Sequence, residues 1–360
     1  MQWGDARGVS PYSFSVRGGG GGRGAVPLPH GKGTSPHEKG NPLPHEKGEP
    51  PPHEKGRTSP LTICFLLSHH INTMQLTTPV SLPSRPMTLQ PSDRLMMLGS
   101  CFAQHVGEEL SHALPPTDID VNPFGVLYNP LSIAGAVGSL LSVDPPVSHI
   151  FHGADGVFHS WLHTSRFSAR TESECRERIT LRHAAARGLL QSASLLCVTF
   201  GTTRCYRLRS GLVVANCHKE PQSSFSEYEP SVDEIVGVWT DIIGRVREIR
   251  PSLHVCFTVS PYRYRKYGFH ESQLQKAKLL LAVDRLAREN TGVSYFPAYE
   301  ILLDELRDYR FYAPDMLHPS DVAIREITSR FIDWLFSPSL KQRVEENRRR
   351  WLSSQHRPVV

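Results

Sequence analysis

The sequence predicts an α/β fold in which helices cover both faces of a central parallel sheet. Three observations carry that expectation. Leu95–Leu98, Leu195–Phe200 and His254–Val259 are continuous apolar runs of the kind that parallel strands need when both faces are buried. Between them lie stretches whose apolar residues recur at three- and four-residue spacing, the signature of amphipathic helices. The runs end in Gly99, Gly201 and Ser260-Pro261, so each strand has a turn signal at its carboxyl end.

Taken in order, Leu95–Leu98 is the first strand and Gly99 closes it. Phe102, Val106 and Leu110 then mark a helix at four-residue spacing. Asp118–Val121 reads as a second strand, stopped by Asn122-Pro123-Phe124-Gly125, and residues 130–142 form an apolar, small-residue helix. Leu195–Phe200 is the clearest strand, and Tyr206 to Val214 reads as a hairpin around Ser210-Gly211. A helix at 231–248, the strand His254–Val259, a helix at 272–289, a short strand Val293–Phe296 and a last helix at 320–336 complete the domain. Trp161, Trp239 and Trp334 are expected as core or interface aromatics. Ligands of such sheets sit beyond the carboxyl ends of the strands. That is where Gly99-Ser100-Cys101, Gly125, Gly201-Thr202-Thr203 and Ser260-Pro261 fall.

Charge separates the domain from its flanks. The 360 residues carry a formal +5 at pH 7, which by itself points to an anionic macromolecule. Residues 1–73 hold 8 basic and 5 acidic side chains, and residues 337–360 hold 6 and 2, whereas residues 74–336 hold 26 and 28. The domain is therefore slightly acidic, and nucleic acid is not its expected partner. Residues 1–73 also contain 13 of the 27 glycines and a Pro-His-Glu-Lys-Gly repeat at 36–40, 44–48 and 52–56. With so few apolar residues per repeat, this stretch reads as a disordered tail, or as translation from a start placed upstream of Met74. A His-rich metal-binding tract is the alternative. Residues 337–360 read as a basic extension, with Arg348-Arg349-Arg350 a solvated helix end.

Seven cysteines, Cys64, Cys101, Cys175, Cys197, Cys205, Cys217 and Cys256, show no regular spacing and no CxxC pair. They suit a reducing compartment better than a disulfide framework. No apolar run is long enough to span a bilayer, and the apolar stretch Leu61–Leu67 lacks a small-residue exit for cleavage. The expectation is a cytoplasmic protein without a cofactor.

Ser100 and Cys101 directly follow the first strand, at a helix N-terminus whose dipole and free N–H groups favour a nucleophile. Far along the chain, Asp315-Met316-Leu317-His318-Pro319 spaces an Asp three residues before a His. That Asp can take the Nδ1 proton and leave Nε2 as general base, while Pro319 is placed to start the last helix. Gly125 N–H and a donor near Thr203 would complete an oxyanion hole.

Leu98-Gly99-Ser100-Cys101-Phe102-Ala103 resembles the motif that names the GSCFA-domain family of bacterial proteins. Asn122 to Pro130, Asn216-Cys217-His218-Lys219, and Asp304 to Tyr312 running into Asp315–Pro319 are similar to that family as well, so the resemblance covers roughly residues 76–335. It implies the three-layer αβα, flavodoxin-like fold of the SGNH/GDSL hydrolases, with a central parallel sheet and esterase or acyl-transfer chemistry. By that resemblance Cys101 falls on the nucleophile and Ser100 on the residue before it, so Cys101 ranks ahead. Gly125 matches the second-block glycine. Thr203 stands where an oxyanion Asn belongs, with Asn216 or His218 as substitute donors, and Asn122 lies on the substrate side. The Asp315/His318 block is intact.

The expected activity is hydrolysis or transfer of an ester, such as an O-acyl group of a carbohydrate or lipid. Arg263, within Arg263-Tyr264-Arg265-Lys266-Tyr267, is placed to meet an anionic substrate group. Two other classes stand beside this one. Cys101, Cys217, His218 and His318 would bind a metal if the fold brought them together. A non-catalytic binding module would account for the altered nucleophile and Asn blocks.

Overall fold

The structure is a computed structural model that describes residues 77–355. The glycine run, the His-rich repeats, Cys64 and the 61–67 apolar stretch lie outside the described residues.

The central sheet assembles from β1 (Leu95–Gly99), β2 (Ile119–Val121), β5 (Leu195–Phe200), β9 (His254–Val259) and β10 (Val293–Tyr295), all paired in parallel. Their spatial order is β10-β9-β5-β1-β2. Counted along the chain this is the 2-1-3-4-5 order of flavodoxin-like folds, whose ligands lie where the order reverses. Here the reversal falls between β1 and β5, which pair from Leu95↔Leu195 to Gly99↔Thr199.

Alternation along each strand builds two cores. Met96 and Leu98, Leu196, Val198 and Phe200, and Val255, Phe257 and Val259 face one side. They meet α2 (Pro130–Leu140), α3 (Glu172–Ser192), α4 (Val232–Ile249) and α5 (Phe269–Glu289). Leu95, Met97, Leu195, Cys197 and Cys256 face the other. They pack on α1 (Cys101–Ser111), the short α6 (Ala298–Glu300) with its π-helical continuation Ile301–Leu306, α7 (Asp321–Leu335) and α8 (Pro338–Gln355). The result is the three-layer α/β architecture expected from the sequence. Two small antiparallel units sit outside the sheet: β3 (Ile150–His152) with β4 (Phe158–Ser160), and β6 (Cys205–Leu208) flanked by β7 (Val213–Val214) and β8 (Phe225–Tyr228).

Several elements differ from the sequence reading. Helix α3 was not anticipated, because its buried stripe Cys175, Ile179, His183, Ala186 and Leu190 mixes small and polar residues that dilute the apolar signal. Helix α5 begins three residues earlier than expected, at Phe269, and Gly268 takes φ +90° at its cap. Pro319 does not start α7. Ser320 caps that helix through Ala323 N–H, and Pro319 forms an isolated bridge with Tyr312 instead. The basic stretch after Phe336 is α8, whose Leu340 and Val344 are buried. Arg348 pairs with Glu109, and Arg349 and Arg350 remain exposed.

Candidate active site

The turn after β1 is built around Gly99. Its φ is +142°, and a Cβ there would stand 2.2 Å from Thr199 O, so only glycine allows β1 and β5 to pair up to the turn. Gly99 N–H donates to Asn122 Oδ1 (2.8 Å), and Asn122 Nδ2 donates to Gln104 Oε1 (3.0 Å). Asn122, itself at φ +46°, thus braces the turn after β1 against α1. The chain then returns across the site, with Leu127 N–H on Gly99 O and the N–H groups of Gly201 and Thr202 both on Tyr128 O.

Ser100 and Cys101 occupy different environments. Ser100 is the N-cap of α1, yet its side chain caps nothing; it is 1% exposed, and among the described residues its Oγ has no hydrogen-bond partner. Cys101 is half-buried and opens α1, where the backbone N–H groups of Phe102 and of Cys101 itself favour the thiolate. Burial pushes the Cys101 thiol above its ordinary pKa, while the Phe102 N–H and the Lys276 ammonium oppose that push.

Opposite this turn, Asp315 organises its own loop. Oδ1 accepts the N–H groups of Leu317 (2.9 Å) and His318 (3.0 Å), and Oδ2 meets His318 Nδ1 at 2.5 Å. These donors hold the Asp315 carboxyl well below the usual carboxylate range. An ionised carboxylate can only accept, so Nδ1 carries the proton and Nε2 keeps its lone pair. The Tyr262 ring lies against the imidazole, with centroids 4.3 Å apart. Burial raises the pKa of both Tyr128 and Tyr262, and the charge of Cys101 adds to the rise in each. Asp315 in turn opposes ionisation of Cys101. Cys101, Tyr128, Tyr262 and Asp315 therefore share one electrostatic neighbourhood at the carboxyl end of the sheet. Among the described residues no hydrogen bond joins Cys101 or Ser100 to His318.

The GSCFA family is matched over residues 94–331, from the residue before β1 into α7. The chain belongs to the GSCFA family. No curated protein matches it in sequence. Among solved structures, it is similar to a carbohydrate esterase family 3 from Talaromyces cellulolyticus, with 10% identity, covering 71% of this chain and 99% of that chain at a TM-score of 0.33. It is also similar to a family two carbohydrate esterase from Clostridium thermocellum in complex with cellohexaose, with 12% identity, 72% and 68% coverage and a TM-score of 0.34.

The other residues singled out from the sequence of this GSCFA domain are placed as follows. Gly125 accommodates Thr164, whose Oγ1 lies 2.0 Å from where a Cβ would be, and its N–H donates to Asn122 O (2.8 Å) rather than into the crevice. Thr203 is fully buried and its hydroxyl donates to Glu229 Oε1 (3.1 Å). Asn216 accepts His218 N–H (2.8 Å). His218 is bonded to Ser160 O (2.8 Å) and packs among Phe151, His159 and Trp161 of the β3–β4 region. Arg263 holds the Asp315 loop: its N–H donates to Leu317 O (3.0 Å), and its guanidinium donates to Met316 O (3.2 Å) and covers the Phe269 ring. The four residues considered for a metal do not converge, and among the described residues no three His, Cys, Asp or Glu side chains form a metal cluster. No helix among the described residues is long and apolar enough to cross a membrane.

Sequence reasoning missed Lys276. Its signal is a charge on the buried stripe of α5, between Ser272 and Leu279, where an apolar residue is the norm. Tyr128 and Tyr262 gave no such signal, because nothing local to them in sequence points toward Cys101.

Proposed function

We propose that this GSCFA protein is an ester hydrolase or acyltransferase with Cys101 as nucleophile, His318 as general base and acid, and Asp315 as the group that orients His318. The observation that carries this reading is the contrast at the first turn. Cys101 is half-exposed at the start of α1 and shares its electrostatic neighbourhood with Asp315, whereas Ser100 is sealed and unpartnered.

The chemistry follows from those positions. The Cys101 thiolate attacks the ester carbonyl carbon, and the carbonyl electrons move to its oxygen. First-turn N–H groups of α1, left uncapped by Ser100, stabilise that oxyanion. The intermediate collapses to a thioester as His318, which has taken up at Nε2 the proton released by the Cys101 thiol, gives that proton to the leaving alkoxide. Water or a second hydroxyl, deprotonated by His318 Nε2, then attacks the thioester carbon and returns Cys101 as thiolate. Tyr128, 47% exposed, and Tyr262 offer aromatic faces beside the nucleophile that suit a sugar ring or another small ester.

Short p-nitrophenyl esters test the assignment. Cys101→Ala and His318→Ala are each expected to lower kcat by about a thousandfold or more, while Ser100→Ala keeps most activity. Activity that survives both Cys101→Ala and Ser100→Ala, or survives His318→Ala, would sink it.

A second reading is a binding module on the same fold. The lack of a hydrogen bond between Cys101 and His318 among the described residues, and the commitment of the Thr203 hydroxyl to Glu229, favour it. Stoichiometric binding of an acylated sugar, without turnover across a broad ester panel, would establish it in place of the enzyme.

A further inference from the structure

Helix α5 carries a lysine where its packing stripe calls for an apolar side chain. Lys276 is 3% exposed, and its Nζ donates to Gly201 O and Ser260 O, both at 2.6 Å. Those two carbonyls belong to the residues that follow β5 and β9, so the ammonium ties together two strand ends at the rim of the crevice. An ammonium has three N–H donors, and among the described residues Lys276 has no third acceptor and no carboxylate within ion-pair distance. The Tyr299 ring, 6.0 Å from Nζ, offers only a π face. A buried cation without a counter-charge is costly, and the cost falls if an anion forms nearby.

The nearby acid is Cys101. Gly201, which holds the lysine, packs on the nucleophile turn: a Cβ on Gly201 would stand 3.2 Å from Ser100 Cβ. Burial lowers the Lys276 pKa to about 7, and the one charge that opposes this is that of Cys101. Reciprocally, Lys276 is the side-chain charge that favours the Cys101 thiolate. The remaining groups around the sulfur do not replace it: Asp315 disfavours the thiolate, and Tyr128 and Tyr262 are phenols with raised pKa values.

We propose that Lys276 is a positioning residue for Cys101, a buried ammonium clamped between the ends of β5 and β9 that favours the thiolate of the nucleophile against the burial that opposes it. When the Cys101 proton leaves, the negative sulfur offsets the buried positive charge and Lys276 stays protonated. Activation of the thiol then does not need a direct hydrogen bond to His318, which takes up the released proton at Nε2 and delivers it to the leaving group.

This rests on Cys101 as the nucleophile, yet its test needs no substrate, so it can fail while esterase activity stands, and the reverse. The rate of Cys101 alkylation by iodoacetamide is followed by peptide mass mapping from pH 5 to 10 in the full chain and in Lys276→Met. The expected result is an upward displacement of the midpoint by about one pH unit, with alkylation at pH 7 slowed about tenfold. Coincident profiles in folded proteins would overturn the proposal, since a merely structural clamp does not move a thiol titration. If Lys276→Met does not fold, Cys101→Ala supplies the reciprocal measurement. Coupling is mutual, so the Lys276 side-chain titration, followed by NMR of lysine-labelled protein, must move down by a similar amount. A Lys276 titration unchanged by Cys101→Ala would overturn the proposal equally.

Discussion

At the turn after β1 one missing side chain fixes the position of everything after it. With φ at +142° and Thr199 O at 2.2 Å from a hypothetical Cβ, Gly99→Ala must both strain the backbone and push β5 away. Strain and overpacking of this kind together cost upwards of about 3 kcal/mol, and a drop of that size in urea-unfolding stability is expected. A substitution within about 0.5 kcal/mol of wild type would show that the turn relaxes freely. Asp315 acts differently, through charge at an exposed loop. Its folded-state pKa lies below the ordinary 3.8 because His318 and Leu317 donate to the carboxylate. A depressed carboxyl contributes stability that is fully present above the unfolded value and lost as pH falls through the folded one. The stability gap between wild type and Asp315→Asn is therefore expected to be constant from pH 7 to about 5 and to close below about 4. A gap that stays constant down to pH 2 would mean that the loop does not depend on the ionised carboxylate.

At the scale of elements, the site depends on how one loop is fastened to another. Arg263, in the loop after β9, bonds Leu317 O through its backbone and Met316 O through its side chain, and stacks on Phe269 of α5. Arg263→Ala keeps the backbone bond and loses the rest, so the expected result is a fall in kcat of about tenfold, with KM little changed and the fold intact. A rise in KM confined to anionic substrates would instead return Arg263 to the substrate contact that its sequence context suggests. The same loop shows where the sequence is informative. Gly99, Cys101 and the Asp315/His318 spacing are legible because their roles are local: a turn, a helix start, a three-residue reach. The five sheet strands are legible because both faces are buried and the apolar runs are continuous. Arg263, Thr203 and His218 are not, because each is committed to a partner far away in the chain, Met316, Glu229 and Ser160, and residue type alone cannot tell a bonded group from a free one. Gly125 is the intermediate case: the need for glycine is legible, but the reason is Thr164 pressed against it, and its N–H is spent on Asn122 O.

Across the whole molecule, the candidate site and the contacts of α8 lie at opposite ends of the sheet. The candidate site lies at the carboxyl ends of β1, β5 and β9, whereas α8 closes the amino ends. Arg343 reaches Pro91 O and Asp118, just before β1 and β2, both at 2.6 Å. Asn347 donates to Ala113 O, and Trp351 stacks on His112 with ring centroids 3.8 Å apart. Leu340, 2% exposed, anchors this helix in the core shared with Phe331, Trp334 and Phe336. Truncating such a leucine leaves a cavity and costs about 2–5 kcal/mol. In a domain of this size that lowers Tm by roughly 5–15 °C. Because none of these contacts reaches Cys101 or His318, Leu340→Ala is expected to keep kcat within about twofold of wild type at temperatures where it remains folded. A thermal melt paired with an ester assay at 20 °C reads both quantities from one preparation. A large loss of kcat in folded protein would show that the amino end of the sheet is coupled to the crevice, through β1 or α1. An unshifted Tm would show that α8 rests on the domain without holding it, and that the basic stretch after Phe336 is an appendage whose burial contributes little.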